Sequence, residues 1–597
     1  MSKILSSRDL QFLLYDWLDT ETLTRRERFA DHTRETFDSF LDLSEQLATR
    51  EFATHNALND QHEPTFDGER VHIIPEVKHA LDAFNAAGLT AAAMDESIGG
   101  VQLPNTVQRA CFMWFQAANT GTAGYPLLTT GAANLLYAHG SRELVETFVP
   151  ALADGRCFGI MCLSEPDVGS SLGDVATKAV PQVDGSHRLF GTKMWISGGE
   201  HDLSENILAL VLARYQDGPA GVRGLSLYAV PKYLVNNDGS LGERNAVTLV
   251  GLNHKMGYRG TVNTVLQFGE DGRRVGGASG AVGYLIGEEG QGLASMFHMM
   301  NEARIAVGAG AAALGYTSYL HALDYARTRA QGRHGKGDPT TPMVPIIEHA
   351  DVRRMLLASK AYAEGAVALV LFAARLLDDE HTAPSDRDRA DAALLLDVLT
   401  PIVKSWPSQW CLVANDHAIQ IHGGYGYARE FPVEQFYRDN RLNQIHEGTH
   451  GIHGKDLLGR KVTMSGGAGL QLLLNRILAT ADKADASESR TLAGWATQLR
   501  SVSEHIQTVT AELLDIPDPE ARLANATAYL EALGHTVVAW IWLDIAVTVG
   551  SRSGAFYDGK RLAASYFFEY ELPKVAPMLD LLATRSRTLL DFDAAVL

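Results

Sequence analysis

Between Arg156 and about Gly287 the chain changes rhythm, and that change limits the folds open to it more than any other feature. Short runs rich in β-branched and aromatic residues, such as "ILALVLARY", "LSLYAV" and "TVLQF", are separated by "DGS", "DGP", "NNDGS" and "EDG" turns. Runs of this kind, joined by tight turns, predict an antiparallel sheet. On either side, apolar residues recur three and four apart, the spacing of helices with one buried face. Upstream these are "DLQFLLYDWL" and "ETFDSFLDLSEQLA", interrupted by a loop at "LNDQHEPTFDGER". Downstream come "GLASMFHMMNEARIAVGAGAAALGYTSYLHALDYARTRA", a Gly/Pro-rich loop at 331–345, and "EHADVRRMLLASKAYAEGAVALVLFAARLL". A Gly/Ser hinge, "SGGAG" at 465–469, introduces a final block that again has helical spacing.

The predicted class is therefore mainly α with an inserted antiparallel β domain. Its expected divisions are an N-terminal helical domain (1–155), a middle β domain (156–285), a helical bundle (286–464) and an additional C-terminal helical domain (465–597). At 597 residues, several domains are expected, because one hydrophobic core stops growing well before that length. Many proteins share such an order, so function has to come from particular residues.

Composition removes some classes. A net charge of −19 works against a phosphate backbone, which needs a basic stripe, so nucleic acid is not an expected partner. The four cysteines, Cys111, Cys157, Cys162 and Cys411, form no C-x-x-C pair, which suits reduced thiols in the cytoplasm. The opening "MSKILSSRDLQFLLYDWLD" lacks the apolar run of a signal peptide, and no later stretch offers about 18 uncharged apolar residues. No integral membrane segment is expected.

Residues 446–450 read "HEGTH", which is literally H-E-x-x-H, the string in which two histidines one helical turn apart hold zinc. That geometry needs a regular helix. Here Gly448 and Thr449 stand between the histidines, Gly451 and Gly454 follow, and His453 falls one position short of a third ligand. No metal is expected, and Glu447 alone becomes the residue of interest.

Glu447 lies in "YRDNRLNQIHEGTHGIHGKDLLGRK", a polar segment leading through E-G-T into an amphipathic helix. This resembles the catalytic segment of the acyl-CoA dehydrogenase family. Three further stretches follow the family's order and spacing. "CFGIMCLSEPDVGSSLGDVATKA" resembles its Glu-Pro-x-x-Gly-Ser flavin segment, and "GTKMWISGG" its Lys-x-Trp-Ile-Thr/Ser element. "AIQIHGGYGYAREFPVEQFYRD" resembles its Q-x-x-G-G-x-G signature, while "MFHMMNEARIAVGAGAAALG" and "YARTRAQGR" fill the interval between. The resemblance spans about residues 60–462, and is nearest to the branch of near-600-residue chains with an extra C-terminal helical domain.

What the resemblance implies is specific. FAD is the expected cofactor, contacted by Met161, Leu163, Ser164, Gly169, Ser170, Trp195, Ser197 and Thr449, with Arg329, Gln420, Gly423 and Gly424 serving the flavin of a neighbouring subunit. Acyl-CoA is the expected substrate, met by Ser170, Asn301, Arg304, His446 and Gly448, with Glu447 as the base that takes the α-proton. The expected reaction is α,β-dehydrogenation to the trans-2-enoyl-CoA in fatty acid β-oxidation. An electron-transferring flavoprotein is the implied acceptor, and a homodimer or homotetramer the implied assembly. The alternatives are an acyl-CoA oxidase, a dehydrogenase of branched or sulfur-containing thioesters and, more remotely, a DNA-associated flavoprotein. The last is disfavoured because residues 470–597 hold 11 basic against 16 acidic side chains.

Several positions depart from the family pattern. Val168 replaces a small residue, Ser171 an aspartate, Gln435 a basic residue and Gly451 a glutamine near the flavin. His446 replaces a frequent aromatic residue, a change expected to bear on substrate preference or on the pKa of Glu447. An ordinary core tryptophan is the competing interpretation of Trp195, and a structural cap that of the C-terminal block.

Overall fold

Eight strands between Cys157 and Ile286 pair into one sheet: β1 (Cys157–Cys162), β2 (Lys178–Pro181), β3 (His187–Ser197), β4 (Asn206–Tyr215), β5 (Leu225–Pro231), β6 (Val247–Leu252), β7 (Asn263–Phe268) and β8 (Ala281–Ile286). Their order is β6-β7-β3-β8-β5-β4-β1, and β2 closes part of the sheet by pairing with both β3 and β4. Most pairings are antiparallel, as the turns require, but β1 and β2 each run parallel to β4. Strand direction is set by the connections, and the 43 residues between Cys162 and Asn206 are enough to bring the chain back the same way round.

The run "ILALVLA" in β4 is buried on both faces. Leu208, Leu210 and Leu212 join one core with Leu136 and Leu152, and Ile207, Ala209, Val211 and Ala213 join another with Leu266 and Phe268. This is the period-two alternation of a strand with no solvent face, which explains the continuous apolar run. Helix α1 (Thr120–His139) lies against β1, where a Cβ on Gly159 would stand 2.3 Å from that of Ala132, so only glycine permits the approach.

The computed structural model describes residues 3–335 and 339–597 and separates into two units. The sheet and α1 belong to Asp38–Pro104 with Trp114–Ala303; the second unit comprises Met1–Phe37, Asn105–Met113 and Arg304–Leu597. Of the predicted Gly/Pro-rich loop at 331–345, positions 336–338 lie outside the described residues. The predicted loop at 58–70 is in part ordered: helix Asn56–Gln61 covers its start, and Thr65–Phe66 pairs with Val71–His72 across its end.

The second unit is built on α2 (Gly292–Thr328, of which Arg304 onward belongs here), α3 (Ala350–Thr382) and α4 (Asp386–His422). Gly308 and Gly315 bring α2 close to α4, where a Cβ would meet Val403 and Cys411. After the turn that carries Glu447 comes α5 (His450–Gly459), and the C-terminal block adds α6 (Ala526–Val549) and α7 (Ala555–Tyr566) among further helices. Helix α6 is apolar around its whole circumference, the mark of a helix enclosed by others. Its Trp542 is fully buried and donates to the Ala361 carbonyl of α3 at 3.2 Å, while the His535 ring lies 4.7 Å from that of Trp410 on α4. From α7, the buried Lys560 ion-pairs with Glu364 of α3 at 2.8 Å and with Asp9 near the N-terminus. A buried charge cluster of this kind costs several kcal/mol if one partner is removed, which commits the C-terminal block to one seating on the bundle.

Two helices come nearer to a membrane span than the sequence suggested. α3 and α6 are long and apolar enough to cross one, yet 83% of each apolar window is buried inside the protein, as in core helices.

Candidate active site

The segment "HEGTH" is not a helix. Helix Val433–Leu442 ends before it, and residues 443–448 turn back before α5 begins. Glu447 has φ +56° and Gly448 φ +102°, so two successive residues occupy the left-handed region. A non-glycine residue held there costs energy and persists only where the surroundings over-determine it. Thr449 is the N-cap of α5, its Oγ1 accepting the Ile452 N–H, so His446 and His450 do not share a helical face.

The turn is held by both carbonyls. His453, one turn into α5 and fully buried, donates from Nε2 to the Glu447 carbonyl at 3.1 Å. Lys404 of α4 donates to the Gly448 carbonyl. Gly448 was expected to meet the substrate, where the absence of a side chain leaves room for a thioester. The protein supplies a second reason, since a Cβ there would stand 2.8 Å from His453 Nε2.

The Glu447 carboxyl is half-buried, and burial raises its pKa. Arg304 and Lys404 pull it back down. His446 was given a place in tuning this acid, but the charges that act on Glu447 come from those two cations instead. His446 bonds Asn443 Oδ1 through Nε2 at 2.9 Å, and burial pushes its pKa to about 3, so it stays neutral. Arg304 is fully inside, pairs with Asp456 at 3.4 Å and acts electrostatically on Glu447. Asn301 belongs to the other unit and is half-buried.

Of the residues expected to contact flavin, Met161, Leu163, Ser164, Gly169, Ser170, Trp195 and Ser197 lie in the sheet unit. Met194 N–H donates to Ser164 carbonyl at 3.0 Å, tying the β3 strand to the loop after β1. Below them the buried Lys193 donates to the Leu163 carbonyl and to Glu165, each at 2.9 Å, and Glu165 accepts from Ala176, Thr177 and the Thr177 hydroxyl. Trp195 is 57% exposed at φ +65°, which removes the core-tryptophan interpretation: a strained aromatic face is presented outward on a rigid base. Ser197 Oγ accepts from Asn263 at 3.2 Å, and Met161 and Leu163 line the inner side of the loop. Val168 is buried and closes that loop through paired backbone hydrogen bonds with Glu165, while Gly169, Ser170 and Ser171 stand exposed at its tip.

In the helical unit, a cavity of about 570 Å³ is lined by Tyr325, Arg329, Gln331, His422, Gly423 and Gly424 among others. Gly423 and Gly424 have no heavy atom within 4 Å of where a side chain would start, Gln420 is exposed beside them, and the exposed Arg329 guanidinium stands 5.7 Å over the Tyr425 ring. Gly451 has only Thr449 Oγ1 near it, at 3.9 Å. Gln435 is buried and takes no part in this surface. Open glycine backbone and an exposed cation fit the phosphate part of a dinucleotide.

Lys404, His453 and Lys193 were missed as partners of the site. Lys193 carried a signal as the lysine of "GTKMWISGG", and Lys404 one as a lone cation inside the apolar run "PIVKSW".

This fold and these features fit a flavin-dependent oxidoreductase. Three family profiles match: "Acyl-CoA dehydrogenase, N-terminal domain" at 39–156, "Acyl-CoA dehydrogenase, C-terminal domain" at 290–462 and "Acetyl-CoA dehydrogenase C-terminal like" at 473–593. The chain is 36% identical over 544 residues to 3-methylmercaptopropionyl-CoA dehydrogenase of Ruegeria pomeroyi, covering 89% of each. It is 32% identical to the broad-specificity linear acyl-CoA dehydrogenase FadE5 of Mycobacterium tuberculosis, covering 98% of each. An acyl-CoA dehydrogenase of Bacillus anthracis complexed with FAD shares the fold at a TM-score of 0.73 and 19% identity, over 98% of this chain and 95% of that one. The chain belongs to the acyl-CoA dehydrogenase family, in the branch that carries the extra C-terminal domain. It is an FAD-dependent oxidoreductase acting on the CH–CH group of acyl-CoA thioesters.

Proposed function

We propose that Glu447 takes the α-proton of the bound acyl-CoA, and the observation that carries this is its carboxyl at the left-handed turn, buried enough to raise its pKa and faced by two cations. A raised value brings a carboxylate toward the range where it is both deprotonated and basic enough to attack a weak carbon acid. The Glu447 N–H, aimed by the same strained turn, is the donor for charge developing on the thioester oxygen. Trp195, Ser164, Gly169, Ser170 and Ser197 would hold the flavin ring, with Met161 and Leu163 behind it and Thr449 as a further contact; Gln420, Gly423, Gly424 and Arg329 would serve the flavin of a neighbouring subunit. When bound, FAD supplies the acceptor for the β-hydride. His446 and Gly448 line the acyl side, with Asn301 toward the CoA.

The substrates are acyl-CoA thioesters of fatty acid β-oxidation, with reduced flavin reoxidised by an electron-transferring flavoprotein. The acid overall charge and four buried free thiols suit a cytoplasmic enzyme. The name of the Ruegeria relative favours a second substrate, a sulfur-containing propionyl thioester.

Anaerobic titration with saturated acyl-CoAs from C4 to C18 and with 3-methylmercaptopropionyl-CoA separates the two by which compound bleaches the flavin. In Glu447→Gln, FAD and thioester remain bound and bleaching stops. Bleaching at the wild-type rate would remove Glu447 from the reaction.

A further inference from the structure

Lys404 lies on α4 between Val403 and Ser405 with none of its surface exposed. An ammonium so placed is expensive unless paired, and among the described residues no carboxylate oxygen lies within ion-pair distance of it. Its hydrogen bond goes to a neutral acceptor, the carbonyl of Gly448. The titratable groups around it are Arg304 from α2, Glu447 and His446 from the turn, and His450 and His453 from α5. All three histidines are held neutral by burial, which leaves Glu447 as the one negative charge that favours the ammonium. A purely structural need to satisfy one carbonyl would be met by a neutral donor at far lower cost.

We propose that Lys404 is a positioning residue of the dehydrogenation: its Nζ fixes the Gly448 carbonyl, and with it the left-handed Glu447–Gly448 turn, while its charge sets the proton affinity of the base. The proposal rests on the assignment of Glu447 as that base. Geometry and charge come from one atom, so the aim of the carboxyl and its acidity are coupled. Burial brings Lys404 itself down to about 7, and Glu447 acts in the opposite direction on it. The two groups therefore titrate as a pair, and the rate of flavin reduction should follow both.

The sign follows from the charge. Removing the cation raises the pKa of Glu447, so the acid limb of the rate profile moves to higher pH. The test is the anaerobic rate of flavin reduction by a saturating acyl-CoA, measured across pH on FAD-loaded wild type, Lys404→Gln and Lys404→Met. Lys404→Gln keeps a donor without the charge: its acid limb moves up by about one pH unit and its rate at high pH stays within about threefold of wild type. Lys404→Met loses both: the same shift is joined by a loss of roughly tenfold or more at every pH. Unchanged acid limbs in both variants overturn the proposal. Should neither variant load FAD, the wild-type profile decides, because two ionisations are expected and a single one refutes the coupling. Failure of the base assignment shows separately, as bleaching retained by Glu447→Gln.

Discussion

His453 Nε2 lies 3.1 Å from the carbonyl oxygen of Glu447, so the first turn of α5 reaches back to hold the residue that precedes it by six positions. The bond fixes the tautomer, with the proton on Nε2, and burial pushes the ring's pKa down to about 2, so the donor is present throughout the working pH range. Leaving a buried carbonyl unpaired costs about 1–3 kcal/mol. We expect His453→Ala to slow flavin reduction by about tenfold and to lower the melting temperature, and His453→Gln, which can donate in the same direction, to recover much of the rate. Stopped-flow reduction at saturating acyl-CoA measures both. Equal rates in His453→Ala and wild type would show that the turn holds itself.

The second expectation concerns how the C-terminal block supports the turn. α5 passes so close to the start of α6 that a Cβ on Gly454 would stand 2.6 Å from the Ala526 carbonyl oxygen, which is backbone and cannot step aside. Gly454→Ala should destabilise the protein by about 1–3 kcal/mol through this overlap. Gly494, on the exposed side of helix Arg490–Leu514, has nothing within 4 Å, and Gly494→Ala should be neutral or stabilising by up to about 1 kcal/mol. Denaturant unfolding of the pair separates a steric effect from the general helix preference for alanine. A stable Gly454→Ala would mean that α5 and α6 can part without penalty.

The share of this site that was legible in the sequence follows from which interactions are local. The failure of "HEGTH" as a helix could be read from Gly448 and Thr449, because backbone preference is written into neighbouring residues. The sheet was legible as short runs between turns, whereas the parallel pairing of β1 with β4 was not, since direction depends on a 43-residue connection and leaves no mark in either strand. Lys404 is 43 residues from Glu447, and a single lysine in a helical run ordinarily reads as a solvated position. A still greater separation in sequence hid the contact of Lys560 with Asp9 and Glu364. His446 attracted attention because it differs from the family pattern, but its Nε2 is spent on Asn443, and the electrostatics of the base come from residues that neighbour it only in space.

The last expectation concerns acid stability. Burial lowers five histidines to values between about 2 and about 4: His201 to about 3, His321 to about 4, His446 to about 3, His450 to about 4 and His453 to about 2. Each is neutral in the folded protein and takes up a proton on unfolding below its ordinary value of 6.5. The folded state therefore binds fewer protons than the unfolded one, and stability present above pH 6.5 is lost as the pH falls toward each folded value. Each group contributes up to about 1.4 kcal/mol per pH unit once its unfolded form is fully protonated. Glu447, Asp9 and Asp378 run the other way, since a raised carboxyl favours the folded state at low pH, but they are three acids against five histidines. Melting temperature should thus be nearly level above pH 7 and fall steeply between about pH 6 and 4.5. His450→Gln, which removes one of the five without touching the hydrogen bond from His453, should make that fall shallower. A melting temperature independent of pH across this range would show that these rings gain protons without unfolding, and that the turn around Glu447 is open to water.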